Sequence, residues 1–114
     1  MIVRKIKYTP EYRERLIQLR DELDIKYGRP VRQKILTEIN KHINHLKKYP
    51  FLGISVRAMY GIECDYYFIH ITPNVIFYDV GDKEIYILNI YNEKEEYIIK
   101  FLGNRTILQE KGDE

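Results

Sequence analysis

The sequence holds a single cysteine, Cys64, so no internal disulfide can form. That fits a reducing compartment and makes the cytoplasm the expected location. No His or Asp is spaced to activate Cys64, which reads as a small residue in or near the core. No apolar run approaches the roughly 18–20 residues of a membrane span, and no membrane partner is expected. The N-terminal Met1-Ile2-Val3-Arg4-Lys5 reads as a charged strand and not as a signal peptide. Linkers rich in Pro, Gly and Ser, internal repeats and low-complexity stretches are all missing, so nothing divides the chain. Metal chemistry is poorly supplied: His42 and His45 stand three apart on a predicted helix, but no carboxylate or cysteine is read as completing the set. Neither a metal nor a cofactor is expected.

What is present describes one globular domain. At 114 residues and 45% apolar content, the chain can bury roughly two-thirds of its unfolded surface without staples. The net charge of +2 conceals an asymmetry: residues 1–57 carry 14 Lys and Arg against 6 Asp and Glu, whereas residues 58–114 carry 5 against 11. A basic half is compatible with an acidic partner or nucleic acid and steers association, although solvated helix faces look the same.

Hydrophobic spacing gives the order of elements. Ile2 to Tyr8 alternates as a strand, with Ile2, Ile6 and Tyr8 on one face. Thr9-Pro10-Glu11 is a helix start, combining a cap, a proline suited to the first helical position and an acid at the positive end. Tyr12, Leu16, Leu19, Leu23 and Tyr27 form the apolar stripe that follows. Gly28 can end this helix, and a second begins at Pro30 with the stripe Val31, Ile35, Ile39, Ile43 and Leu46, stopped by Tyr49-Pro50. The short joint predicts an antiparallel hairpin, its outer faces keeping Arg13, Arg15, Arg20, Arg32, Lys34, Lys41, Lys47 and Lys48. From Phe51 the period becomes alternating. Ile54, Val56, Ala58 and Tyr60 read as a short strand, in part a loop, and Tyr66–Ile71, Val75–Val80 and Glu84–Tyr91 as strands joined by tight turns. Tyr97, Ile98, Phe101 and Leu102 predict a short final helix ended by Gly103. The fold class is α+β: a small, mostly antiparallel sheet, β-α-α-β-β-β with a short C-terminal helix, and a two-helix hairpin on one face. Residues 1–103 form the domain and 104–114 a polar, frayed tail whose apolar contacts would be Ile107 and Leu108.

Several segments resemble the RelE/ParE superfamily of toxins from type II toxin–antitoxin systems. Ile6-Lys7-Tyr8-Thr9-Pro10-Glu11-Tyr12 is similar to the family's strand, Ser/Thr-Pro and aromatic lead into its first helix. The run from Tyr66 to Tyr78 resembles the paired central strands, which commonly end in a phenylalanine–tyrosine pair. The run from Ile85 to Tyr97 resembles the last strand and tail. The likeness covers about residues 2 to 102 and rests on order and spacing together. It implies a growth-inhibiting toxin neutralised by a cognate antitoxin. Some members cleave messenger RNA on the ribosome without a metal, and ParE-like members bind and inhibit DNA gyrase.

Metal-free RNA cleavage needs an acid, a base and cations aimed at the phosphate, for which guanidinium is the best tool. Here the chain departs from the family. Phe68 stands at a strand position often held by Arg, Asn89 where "Ile-Leu-Arg-Ile" would place one, and Lys94-Glu95 replaces an Arg-Arg pair. Two missing arginines, at a few kcal/mol of transition-state stabilisation each, imply a very slow enzyme. If the chain is a ribonuclease, the resemblance and the residue types put its catalytic site at Arg57, His70, Tyr78, Lys94 and Tyr97. Each has a plainer reading: His70 as a strand residue between isoleucines, the tyrosines as packing groups. Glu63 and Asp65 could supply a base or simply be solvated. The preferred reading is a ParE-type binder, with the ribonuclease and a toxin fold that has lost activity as alternatives. Expected partners are a cognate antitoxin and either DNA gyrase or the ribosome with its mRNA.

Overall fold

The computed structural model describes residues 2–103; the expected frayed tail, with Ile107 and Leu108, lies outside them. Strand β1 (Lys5–Tyr8) leads into α1 (Pro10–Tyr27) and α2 (Arg29–His45). A two-residue β2 (Ile54–Ser55), a short α3 (Val56–Tyr60) and the strands β3 (Tyr66–Ile71), β4 (Asn74–Val80) and β5 (Glu84–Asn92) follow. Residues 97–103 are helical. The sheet order is β1-β5-β4-β3-β2. All neighbours are antiparallel except β1, which runs parallel to β5 from Lys5↔Glu84 to Tyr8↔Ile87. The hairpin carries the chain from β1 at one edge of the sheet to β2 at the other, and the antiparallel strands then return it to β5 beside β1.

Helix α1 starts where the sequence places it. Thr9 Oγ1 accepts the Tyr12 N–H at 3.1 Å and donates to Leu88 O at 2.7 Å, so the cap also ties the helix to β5. Gly28, at φ 85°, makes the joint, and its N–H caps Asp24 O. Arg32 Nη1 reaches Asp24 Oδ2 at 2.9 Å and clasps the two helices. The stripes are buried only where the sheet lies beneath them. Leu23 is 8% exposed, but Tyr27 and Val31 are 61% and 40% exposed, because the hairpin tip overhangs the end of the sheet.

Two cores result, one on each face. Tyr12, Ile39, Ile43 and Leu46 of the hairpin pack on Ile69, Ile76, Tyr78, Ile85, Ile87 and Ile90. On the opposite face Val56 of α3 and Phe101 join Phe68, Val75, Phe77, Leu88 and Tyr91, with Phe101 stacked on Phe77 at 4.1 Å. A bulge near Phe77/Tyr78, opposite Leu88, lets β5 supply both cores. Cys64 packs partly buried against the second one.

Two expectations need correcting. The first strand begins at Lys5, leaving Ile2 and Val3 exposed. The alternating run from Ile54 is a strand for two residues and then becomes α3. Ser55 Oγ accepts the Ala58 N–H at 3.2 Å, and Gly61, at φ 68°, closes the turn. Over five residues, a period of two and a helical turn bury the same Val56, so patterning alone could not separate them.

Candidate functional site

The second face of the sheet holds most of the sequence candidates. His70 follows Tyr66 and Phe68 by strand alternation, and its Nε2 lies 2.6 Å from Glu93 Oε2. Both are partly exposed, and Lys94 adjoins them in the turn after β5, its N–H donating to Asn92 Oδ1 at 2.9 Å. Tyr97 packs its ring against Phe68 and Phe77 at centroid distances of 6.4 and 6.2 Å. Burial and a hydrogen bond with Tyr97 raise the Tyr60 pKa above its ordinary value.

Arg57 stands apart from His70. Its guanidinium donates to Cys64 O at 3.0 Å and to Asp65 Oδ1 at 3.2 Å, ahead of β3. His70 lies five residues farther along the extended chain, roughly 17 Å away. Tyr78 is on the other face, 0% exposed inside the hairpin core. Its hydroxyl donates to Pro50 O at 2.8 Å and accepts the Gly53 N–H at 2.9 Å. Burial, opposed by that Gly53 contact, pushes its pKa up to about 12. A Cβ on Gly53 would lie 2.6 Å from both Phe68 O and the Tyr78 hydroxyl, which is why glycine stands there. The structure thus brings His70, Glu93 and Lys94 together at one end and Tyr97 with Tyr60 in the middle. Arg57 stays at the far end, and Tyr78 is sealed beneath the sheet.

The positions of the missing arginines are filled by packing and by other bonds. Phe68 is 3% exposed in the second core. Asn89, 7% exposed, serves the bulge: its Oδ1 accepts the Ile90 N–H at 2.9 Å and its Nδ2 donates to the Tyr91 hydroxyl at 2.9 Å. Glu95 anchors the chain before residues 97–103. It accepts Arg15 Nη2 at 2.9 and 3.1 Å, Lys100 Nζ at 3.0 Å and the Asn92 N–H at 2.7 Å. Burial acts to raise its pKa, but the Asn92 N–H, Lys100 and Arg15 outweigh it and hold the carboxyl below its ordinary value.

Arg15 was placed by the sequence on the outer helix face, and the structure corrects this. It turns to the sheet end, donating from Nε to Ile90 O at 2.6 Å and lying 4.5 Å over the Tyr91 ring. A signal was available: Arg15 stands three residues after Tyr12 and four before Leu19, so it borders the apolar stripe. With Gln18, Glu22, Asn74 and Asn92 it lines a polar cleft of about 290 Å³. Glu38, which the sequence reading passed over, lies 3.5 Å from His42. No group of three or more metal-ligating side chains occurs among the described residues, and none of their helices is long and apolar enough to cross a membrane.

Comparison with known proteins covers nearly the whole described fold. The family described as "ParE toxin of type II toxin-antitoxin system, parDE" matches residues 6–97. Among solved structures, the "Chromosomal ParDE TA system from P. aeruginosa" is similar, with a TM-score of 0.65 and 19% identity, over 79% of this chain and 96% of that one. At that identity the likeness speaks for the fold alone. No curated protein matches the sequence.

Proposed function

The chain belongs to the ParE toxin family of type II toxin–antitoxin systems, and from that premise we propose that it arrests growth in the cytoplasm by binding an intracellular target. DNA gyrase is the first candidate, and a cognate antitoxin holds the toxin inactive. What supports binding over catalysis is the state of the cations. Arg15 is committed to Glu95 and Ile90 O, and Arg57 to Asp65 and Cys64 O, while His70 faces Glu93. A phosphate in transition would meet carboxylates where it needs guanidinium groups. The hairpin, in contrast, leaves Arg29, Lys34, Lys41 and Lys48 exposed, and Ile17, Ile25 and Tyr27 of α1 are exposed as well. Exposed apolar and aromatic side chains on a surface that also carries Arg and Lys are the make-up of a protein interface.

Induced expression with two readouts, gyrase supercoiling and messenger cleavage, tests this. Growth arrest with lost supercoiling and intact messenger is expected. The ribonuclease reading keeps one specific observation, the His70–Glu93 pair with Lys94 adjoining it. Messenger cleavage that disappears in Lys94→Ala and Tyr97→Phe would replace the binder with that reading. No growth arrest and no co-purifying antitoxin would leave a toxin fold without toxin activity.

A further inference from the structure

The stretch from the end of α2 to α3 displays its apolar side chains instead of burying them. Tyr49, Phe51, Leu52 and Ile54, with Met59 and Tyr60 of α3, are 38–61% exposed. Residues 49–62 hold a single charged side chain, Arg57, in a chain that is 32% charged. The exposure is not that of a loose loop. Tyr78 Oη accepts the Gly53 N–H at 2.9 Å and donates to Pro50 O at 2.8 Å, and a Cβ on Gly53 would collide with Phe68 O. The Leu52 N–H donates to Tyr49 O at 3.1 Å in a tight turn. Side chains held in place in this way lose less freedom when a partner covers them.

The six side chains follow the free edge of the sheet. Phe51 lies 5.5 Å from Tyr67 by ring centroids, and Tyr67 stacks on Tyr78 of the hairpin core. Ile54 pairs with Phe68, and the Tyr60 ring lies 6.4 Å from Phe68 of the second core. The apolar ridge therefore crosses from one face of the sheet to the other over β2. That strand is the last of the sheet order and only two residues long.

We propose that this ridge docks on a second copy of the chain, the two copies meeting at their β2 edges about a two-fold axis. Area, charge and edge length select this occupant. The six residues leave on the order of 700 Å² open, against roughly 800 Å² per partner in a standard interface. Such a patch also exceeds what a typical monomer exposes. Arg57 is neutralised by Asp65 at 3.2 Å, so like surfaces meet without repulsion, as a two-fold contact requires. The hairpin, with exposed Arg29, Lys34, Lys41 and Lys48, would repel its own copy. Nucleic acid would find no unpaired cation on the ridge. An extended peptide needs a longer free edge for its main-chain bonds than two residues supply. A folded, apolar, uncharged surface fits better, and a second copy carries one.

Self-association is independent of the toxin reading and is measured on the isolated chain. Sedimentation velocity from low to high micromolar concentration should show a reversible monomer–dimer equilibrium. Added salt should leave it unchanged or tighter, because the contact is apolar. Leu52→Lys, before β2, and Met59→Lys, on α3, should each raise the dimer dissociation constant at least tenfold. Both residues are more than half exposed, so the fold should survive, and Met59→Lys stands in if Leu52→Lys misfolds. A monomer at every concentration would overturn the proposal, as would a dimer that both variants leave intact or that added salt dissolves. A monomer whose antitoxin capture is lost in the same variants would overturn it too, and would give the ridge to that partner.

Discussion

Tyr12 and Tyr78 lie in one core cluster at 1% and 0% exposure, yet their hydroxyls have opposite fates. Tyr78 Oη joins Pro50 O to the Gly53 N–H and so pins the loop between α2 and β2 to the sheet. Tyr12 Oη is sealed with no partner among the described residues, and burial raises its pKa above the ordinary tyrosine value. Removing a hydroxyl that satisfies one buried and one part-buried backbone group strands both, at about 1–3 kcal/mol for a buried group left unpaired. Urea denaturation of Tyr78→Phe should therefore show a loss of at least about 1 kcal/mol. Removing an unpartnered hydroxyl strands nothing, so Tyr12→Phe should be unchanged or more stable by up to about 1 kcal/mol. Equal losses in the two variants would show that Tyr12 Oη has a partner after all. Among 11 tyrosines the sequence does not separate these two roles, because the partners of Tyr78 Oη lie 25 and 28 residues away and Tyr12 Oη has none among the described residues. Asn89 is similar. Its polarity reads as a lost arginine in the sequence and as the filling of a β-bulge in the structure.

An electrostatic clasp and an aromatic stack both help to hold the last element, residues 97–103. Glu95 receives Arg15, Lys100 and the Asn92 N–H, and Phe101, 1% exposed, stacks on Phe77. Because the folded state holds the Glu95 pKa below its ordinary value of 4.5, unfolding lets this carboxyl take up a proton more readily. Its contribution to stability is complete well above pH 4.5 and disappears as pH falls through the lower folded value. Thermal melts of the native chain should lose stability below that pH, and Glu95→Gln should be less stable at neutral pH but flatter on the acid side. An unaltered acid slope in Glu95→Gln would remove the clasp from the account. Phe101→Ala should cost about 3–5 kcal/mol, as for other large aromatics truncated in a core. Both α1 and the final helix were legible in the sequence, because a cap, a proline and a sustained 3.6-residue stripe agree for the first, and two apolar pairs before Gly103 mark the second. Helix α3 was not, since five residues are too few to separate a helical turn from alternation. The Glu95 clasp was not either, because Arg15 and Glu95 are 80 residues apart.

At the scale of the molecule, the two unlike halves of the chain do not form two domains. The hairpin of the basic first half lies on one face of the sheet that the acidic second half largely builds, so the charge asymmetry becomes a difference between faces. Element order and the antiparallel meander followed from turn chemistry, whereas the parallel seat of β1 beside β5 did not, since nothing local in Lys5–Tyr8 names its neighbour. The polarity has a kinetic consequence. Lys41 and Lys48 are exposed and make no ion pair among the described residues, so their charges act on an approaching partner rather than on the fold. Surface charges of this kind alter association rates and salt dependence far more than stability. The double variant Lys41→Glu, Lys48→Glu reverses two charges on a protein of formal net charge +2 and should leave the denaturation midpoint unchanged. If the antitoxin or the target approaches the hairpin face with negative charge, the association rate at low salt should fall about tenfold. The gap should close as added salt shortens the screening length from about 30 Å to below about 10 Å. Stopped-flow mixing with the co-purified antitoxin, and with gyrase, at low and high salt separates the partners. The partner whose rate loses its salt dependence in the variant is the one that reads the basic face, and indifference of both would confine the binding surface to the rest of the molecule.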